Sequence, residues 1–241
     1  MTVHIIALLR RKPDVTFDAF SSHWLNEHLL AVGADKAESL PYYGYRQNHA
    51  VRTPETAALC TSTYDGFSDF YCEELEGWHA IFPSPRTPVA EADEDLWLAG
   101  QAAMFVCEDH VLVDGTPAED AVKVLRPFRR RYDLRVRNFR PHWRDVYGPS
   151  IVATVPGIQR YVQAQVIDAA YRDAQPAWDG FDILWLDGVT AQLPQLLNAG
   201  HGDFLDDDPA PSIVVRELVP PCLADVIAAA DREAGFMRVS A

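Results

Sequence analysis

The chain lacks most of the devices by which a function is read at sight. Its 241 residues contain no Cys-x-x-Cys pair, and the four cysteines stand apart at 60, 72, 107 and 222. That spacing suits reduced thiols better than a disulfide frame or a zinc site. No run approaches the ~18 apolar residues that span a bilayer. The N-terminal apolar run is too short for a signal peptide, and its charges follow it rather than precede it, so a cytoplasmic location is expected. Gly-x-Gly phosphate loops, Gly-x-Ser-x-Gly elbows and Cys-His nucleophile signatures are absent. Basic residues are scarce: 21 Lys and Arg against 35 Asp and Glu give a net charge of −14. A field of that sign repels phosphate backbones and anionic lipid surfaces, so neither nucleic acid nor membrane is an expected partner. Asp206-Asp207-Asp208 lacks the alternating ligands of a calcium loop and reads as a solvated turn. No metal site is expected.

What is present is a packed core and a repeat. Hydrophobic residues make up 48% of the chain, as in an ordinary globular protein. Residues 4–23, HIIALLRRKPDVTFDAFSSH, align without a gap on residues 123–142, KVLRPFRRRYDLRVRNFRPH. Arg10, Arg11 and Lys12 fall on Arg129, Arg130 and Arg131, Phe20 on Phe139, and His23-Trp24 on His142-Trp143. Further along, Tyr45 and Gln47 fall on Tyr161 and Gln163, and Tyr64-Asp65-Gly66-Phe67 on Trp178-Asp179-Gly180-Phe181. The last strands match as Met104 to Leu112 with Ser212 to Val219.

Each half then reads strand, helix, strand, strand, helix, strand, at 3–11, 16–32, 42–51, 57–64, 67–82 and 102–112 in the first. That order is the split βαβ pattern of a ferredoxin-like unit, an antiparallel sheet with both helices on one face. The expected fold class is α+β, with two ferredoxin-like (βαββαβ) repeats, 1–115 and 116–241, whose bare sheet faces pack together. Asp114-Gly115-Thr116-Pro117 is the turn between them, and 84–100, rich in Pro, Ala and acids, reads as a surface loop.

At 100° per residue, Phe17, Phe20, Trp24, His28 and Ala31 share one stripe of the first helix, so His28 points inward among aromatics. Two readings stand: a core histidine with a satisfied hydrogen bond, or a neutral imidazole acting as a base. His23 lies on the flank with Glu27 one turn on, placed to orient its ring. The spacing of five sets His23 and His28 about 140° apart on an α-helix, unlike a metal-binding i,i+4 pair. The second strand, YYGYRQNHAV, carries Tyr43, Tyr45, Gln47 and His49 on one face and Tyr42, Gly44, Arg46 and Asn48 on the other. It is either a half-exposed edge strand or the floor of a pocket. Where the first half has His28 and His49, the second has Tyr147 and Gln165. Histidine chemistry therefore belongs to the first half, with the second supplying structure or a pocket wall. The eight arginines from Arg126 to Arg144 are expected to pair with acids of 91–95 or 203–208. His79, beside Trp78, either reaches the pocket or caps its helix.

Leu-Leu-Arg-Arg-Lys-Pro, then Phe-x-x-His-Trp-x-x-x-His, then Tyr-x-Gln-Asn-His resembles the EthD domain, and the second half resembles a degenerate copy of it. The resemblance implies a dimeric α+β barrel formed largely within one chain, with ligands between helices and sheet. Its relatives include dehydratases and decarboxylases of aromatic polyketide pathways, cofactor-free oxygenases acting on phenols, and haem proteins. The leading expectation is a cofactor-independent lyase on a phenolic or polyketide-like compound. His28 or His49 would be the base, with His23 in support and Tyr45 and Asn48 donating to the oxyanion. Phe20, Trp24, Tyr43, Gln47, Tyr147 and His79 would line the substrate. The alternatives are a cofactor-free monooxygenase, a haem protein using His28 or His79, and a non-enzymatic binding protein. Exposed sheet edges would allow a homodimer of chains.

Overall fold

The computed structural model describes residues 2–31, 43–57, 63–74, 87–100, 102–172, 174–188, 204–206 and 212–233. Eight strands form one sheet: β1 Val3–Leu9, β2 Tyr43–Ala50, β3 Gly66–Cys72, β4 Ala103–Val113, β5 Val122–Phe128, β6 Ile158–Val166, β7 Gly180–Leu186 and β8 Ile213–Leu218. Helix α1 (17–31) follows β1, and α3 (136–154) follows β5. Between them in the chain lies α2, Thr87–Trp97, and α4, Ala224–Glu233, comes last.

The order of strands is the same in the two halves, β4-β1-β3-β2 and β8-β5-β7-β6. The sheets do not merely stack. Their edges pair, β2 with β8 and β4 with β6, and the eight strands close into a barrel. Closure leaves no free edge among the described strands.

Period-two alternation then divides each strand between two cores. Ile6, Leu8, Phe67, Phe105, Leu125, Phe181, Ile183 and Val215 fill the barrel. The outer faces of the first half pack beneath α1 and α4, and those of the second beneath α3. The barrel interior also holds charge. Lys123 Nζ lies 2.9 Å from Asp69 Oδ2 and 2.6 Å from Glu217 Oε2. Burial opposes the ammonium, but the two carboxylates outweigh it and raise its pKa. Arg46 reaches Asp231 of α4 at 3.0 Å, and Asp231 Oδ1 also accepts from the Gly44 amide at 2.7 Å. Helix α4 is thus pinned across the barrel end.

Two first-half elements differ from the sequence reading. The run Gly66–Cys72 is a strand, not the start of a helix over 67–82, and α2 occupies the expected loop 84–100. Gly-Phe-Ser-Asp-Phe-Tyr-Cys alternates with period two: Phe67 joins the barrel core, whereas Phe70 and Cys72 pack outside. In 87–97, Pro88 sits in the first turn, where proline is tolerated, and Ala and Glu favour helix. The expected strand 57–64 falls largely outside the described residues.

The arginine run is neutralised close to home. Arg130 bonds Asp179, Arg131 pairs with Asp133, Arg140 with Asp168 and Arg144 with Asp145, while Arg129 lies 3.9 Å from Asp206. Asp179 also accepts the Arg130 amide at 2.8 Å, and Asp65 repeats the motif with the Arg11 amide at 3.0 Å.

Each half sets the Cζ3–Cη2 edge of a helix tryptophan against a strand glycine. A Cβ on Gly66 would lie 2.8 Å from Trp24 Cζ3, and one on Gly180 2.3 Å from Trp143 Cη2 and 2.9 Å from the Ala164 carbonyl. Gly180→Ala should therefore lower stability by roughly 1–3 kcal/mol through overpacking. A thermal melt reads this as a drop of several degrees; an unchanged melting temperature would show that Trp143 can yield.

Candidate active site

Helix α1 begins at Thr16, whose side chain accepts from the Ala19 amide at 3.2 Å. It does not stay α-helical. Residues Trp24–His28 form a π turn, and Trp143–Tyr147 repeat it in α3. In a π turn the backbone bond runs from residue i to i+5, so side chains five apart return to about the same side. His23 and His28 are five apart. The α-helical wheel separates them, but the wider turn brings both to one carboxylate. His23 Nε2 lies 3.0 Å from Asp93 Oδ1, and His28 Nδ1 2.7 Å from Asp93 Oδ2.

Asp93 comes from α2 and is buried. Trp97 Nε1, one turn on, donates to Oδ2 at 3.1 Å. Burial raises the Asp93 carboxyl, yet the hydrogen bonds from His28 and Trp97 and the two imidazoles outweigh it, and its pKa lies below the ordinary value. The expected contact of His23 with Glu27 is present, at 3.3 Å from Nδ1 to Oε2. His28 is half-buried; burial lowers its pKa, Asp93 opposes the shift and His23 adds to it. Its Nδ1–H donates to Asp93, and Nε2 has no hydrogen-bond partner among the described residues. The ring meets the edge of Trp97 at 5.3 Å.

Beneath α1 lies a third histidine. His49 is stacked on Trp24 at 4.3 Å, with Phe20 at 6.5 Å. Its Nδ1 lies 2.7 Å from Ser21 Oγ and its Nε2 3.1 Å from Gln47 Oε1. Gln47 Nε2 donates to the Trp24 carbonyl at 2.9 Å and to the Tyr45 hydroxyl at 3.3 Å. With the amide oriented so, Oε1 can only accept, which places the His49 proton on Nε2 and leaves Nδ1 to accept from Ser21. Burial, then the Arg216 charge, push the His49 pKa down to about 4, so the ring is neutral in most buffers. Burial pushes the Tyr45 phenol up to about 12.

The structure thus gathers Phe20, His23, Trp24, His28, Tyr45, Gln47 and His49 around α1. Three other candidates lie elsewhere. Asn48 points into the barrel, where Nδ2 donates to Asp69 Oδ1 at 3.1 Å, so it cannot share an oxyanion with Tyr45 on the opposite strand face. Tyr43 stacks on Tyr71 at 5.7 Å at the barrel end, because the strand register shifts between Tyr43 and Arg46 and Gly44 takes a positive φ of 63°. Tyr147 belongs to the second half, where it accepts from Arg126 at 3.0 Å and touches Phe128 and Phe204. His79 lies outside the described residues. Ala31, assigned to the buried stripe, is exposed, since the π turn rotates the last helical residues outward.

Sequence reasoning missed Asp93, Trp97 and Ser21. The first two stand in a segment read as loop, although Asp93-x-x-x-Trp97 is an i,i+4 pair that a helical reading would have placed on one face. Ser21 gave no signal beside His49 until the strand was laid beneath the helix.

No family model matches the chain, and no curated protein matches its sequence. Solved structures do match it in shape. One described as an anthrone oxidase-like protein gives a TM-score of 0.56 at 11% identity, covering 89% of this chain and 91% of its own. A chlorite dismutase variant from Candidatus Nitrospira defluvii gives 0.52 at 8% identity, covering 95% and 94%. An EthD family protein from Bacillus halodurans C-125 gives 0.34 at 17% identity and covers 45% of this chain and 98% of its own. At these identities the likeness is one of fold. The chain shares with the first two of these structures a fold, here an eight-stranded barrel closed within a single polypeptide.

Proposed function

We propose that the chain is an enzyme that takes a proton from a small phenolic or polyketide-like aromatic compound, with His28 as the base. The observation that carries this reading is the setting of His28. Nδ1 is tied to a buried carboxylate while Nε2 has no hydrogen-bond partner among the described residues. A carboxylate on one ring nitrogen fixes the tautomer and stabilises the imidazolium that forms when the other nitrogen takes a proton. Phe20, Trp24 and Trp97 pack against one another as a buried aromatic cluster beside it. On this reading, the ferredoxin-like repeat at 1–115 carries the chemistry and the one at 116–241 supports it.

Two outcomes share that first step. Loss of water, carboxylate or a small carbonyl fragment from the resulting anion makes the protein a lyase. Reaction of the anion with dioxygen makes it a cofactor-free monooxygenase, a reading supported by the anthrone oxidase-like structural neighbour. A substrate with an acidic methylene, such as anthrone, tests the shared step directly. In D2O, NMR should show deuterium entering that methylene faster with the protein than in buffer. His28→Gln should slow this enzymatic exchange roughly 10²–10⁴-fold, the usual worth of a general base. Equal exchange by both proteins would sink the assignment. An oxygen electrode then separates the outcomes: uptake during turnover means oxygenase, and turnover without uptake means lyase.

The pH dependence carries a sign. A base must be unprotonated, so the exchange rate should rise through the His28 midpoint, below 6.5, and then level off. Asp93 holds that midpoint up against burial and His23. Asp93→Asn should therefore move the His28 midpoint, followed by NMR titration, to still lower pH, and the acid limb of the rate with it. Movement to higher pH would show that the Asp93 charge does not act on His28.

A further inference from the structure

The third histidine, beneath α1, sits in a different constellation. We propose that Ser21, His49 and Gln47 form a nucleophile, base and positioning chain able to cleave small aromatic esters by acyl transfer. This rests on residues other than His28 and stands or falls apart from the reading above.

The geometry is that of an activated hydroxyl. Ser21 Oγ lies 2.7 Å from His49 Nδ1, within reach for direct proton transfer. The opposite nitrogen is held at 3.1 Å by the Gln47 carbonyl, and Gln47 is itself fixed by the Trp24 carbonyl and the Tyr45 hydroxyl. The ring cannot swing away, because it is stacked on Trp24 and Phe20 flanks it. An imidazole clamped at one nitrogen by an amide and bonded at the other to a nucleophile is the arrangement on which covalent acyl transfer runs in unrelated folds. Structural need does not explain it: the corresponding position in the other half is Gln165, and that half closes its barrel without a histidine there.

Ser21 is half-buried. Directly across the sheet from His49, in register on β8, stands Arg216, exposed and without a hydrogen bond or ion pair among the described residues. Cross-strand partners share a sheet face, so this cation stands beside the imidazole, as its effect on the ring also shows. It is the group placed to meet a developing oxyanion. Half-buried Phe17, within 6.0 Å of Phe20, supplies apolar surface for an aromatic group.

In the first step Ser21 Oγ bonds to the acyl carbon and its proton passes to His49 Nδ1. The ester C–O bond then breaks and the leaving oxygen takes that proton. Water repeats the sequence, its proton going to His49 and on to Ser21 Oγ as the acid is released. Beyond the ester, the steps consume only water.

A fluorophosphonate probe tests this without knowledge of the natural ester. Attack by Ser21 Oγ on phosphorus expels fluoride and leaves a stable adduct, which peptide mass spectrometry locates. A single adduct at Ser21 is expected, together with a burst of p-nitrophenol from p-nitrophenyl acetate, and Ser21→Ala should abolish both. His49→Gln places in β2 the residue that the other half already accommodates, and it should slow labelling at least about 100-fold. Gln47→Glu sets a carboxylate against Nε2 and should move the acid limb of labelling to higher pH, against Arg216 and the apolar Trp24 and Phe20 rings. A purely structural glutamine would leave that limb in place. No adduct, an adduct at Ser22 or elsewhere, or unchanged labelling in a folded His49→Gln protein overturns the proposal. None of these outcomes bears on deuterium exchange by His28.

Discussion

One backbone irregularity sets the rest of the site in place: the π turn in the first helix of each half. At Trp143 the carbonyl accepts from the Gly148 amide five residues on and from Gln163 Nε2 at 3.1 Å; at Trp24 the same carbonyl accepts from Gln47 Nε2. A strand glutamine thus reaches up to the widened turn and ties the helix to the sheet at one atom. That tie lays the tryptophan over its glycine, fixes the height of the helix above the strands, and determines which residues of the helix look down and which look across to α2. A π turn is less favourable than an α turn and persists where its surroundings compensate for it. Here the glutamine and the bare glycine backbone do so, twice, in the same way.

The two halves use that frame for different ends. In the first, the turn delivers a pair of imidazoles to Asp93. In the second, Tyr147 stands where His28 would be and bonds to a buried arginine, Arg126, instead. Asp182, in the same buried layer, is pushed up to about 7 by burial, against the pull of Arg126. Trp143 Nε1 donates to it at 3.1 Å. The second half is therefore polar as well, but its groups are sealed beneath α3 and spent largely on one another. Across the barrel, the Lys123 ammonium of the second half lies 2.9 Å from the Asp69 carboxylate of the first, as well as 2.6 Å from Glu217 of its own half.

Much of this was legible in the residues. The repeat was visible because the pieces that hold the frame together, Trp24 and Trp143, Gln47 and Gln163, Gly66 and Gly180, and Asp65 and Asp179, are all present twice in the same order. The alternation of β2 sorted its side chains into two faces, and the structure turns the one carrying Gln47 and His49 toward the helix. What the sequence hid was hidden for physical reasons. A helical wheel assumes one rotation per residue, and a π turn breaks that assumption where the two histidines lie. The carboxylate between them comes from α2, whose proline and acids read as loop until its apolar face has something to pack against. The strand at 66–72 carries Ser68 on the face beneath the helices and Asp69 inside the barrel, where Lys123 and Asn48 satisfy it. Inward polar residues of that kind blur the period-two signal on which strand reading depends.

The closure of the barrel within one polypeptide has a consequence for how such a site can change. In a barrel made of two identical chains, every substitution appears at both ends of the twofold axis, so an improvement in one pocket is imposed on the other whether or not it is tolerated there. Joined through the 114–121 connection, the halves are free of that constraint. One carries histidines at 28 and 49 where the other carries tyrosine and glutamine at 147 and 165. Covalent linkage here acts as a licence for asymmetry: it lets two halves of one scaffold hold different side chains at corresponding positions.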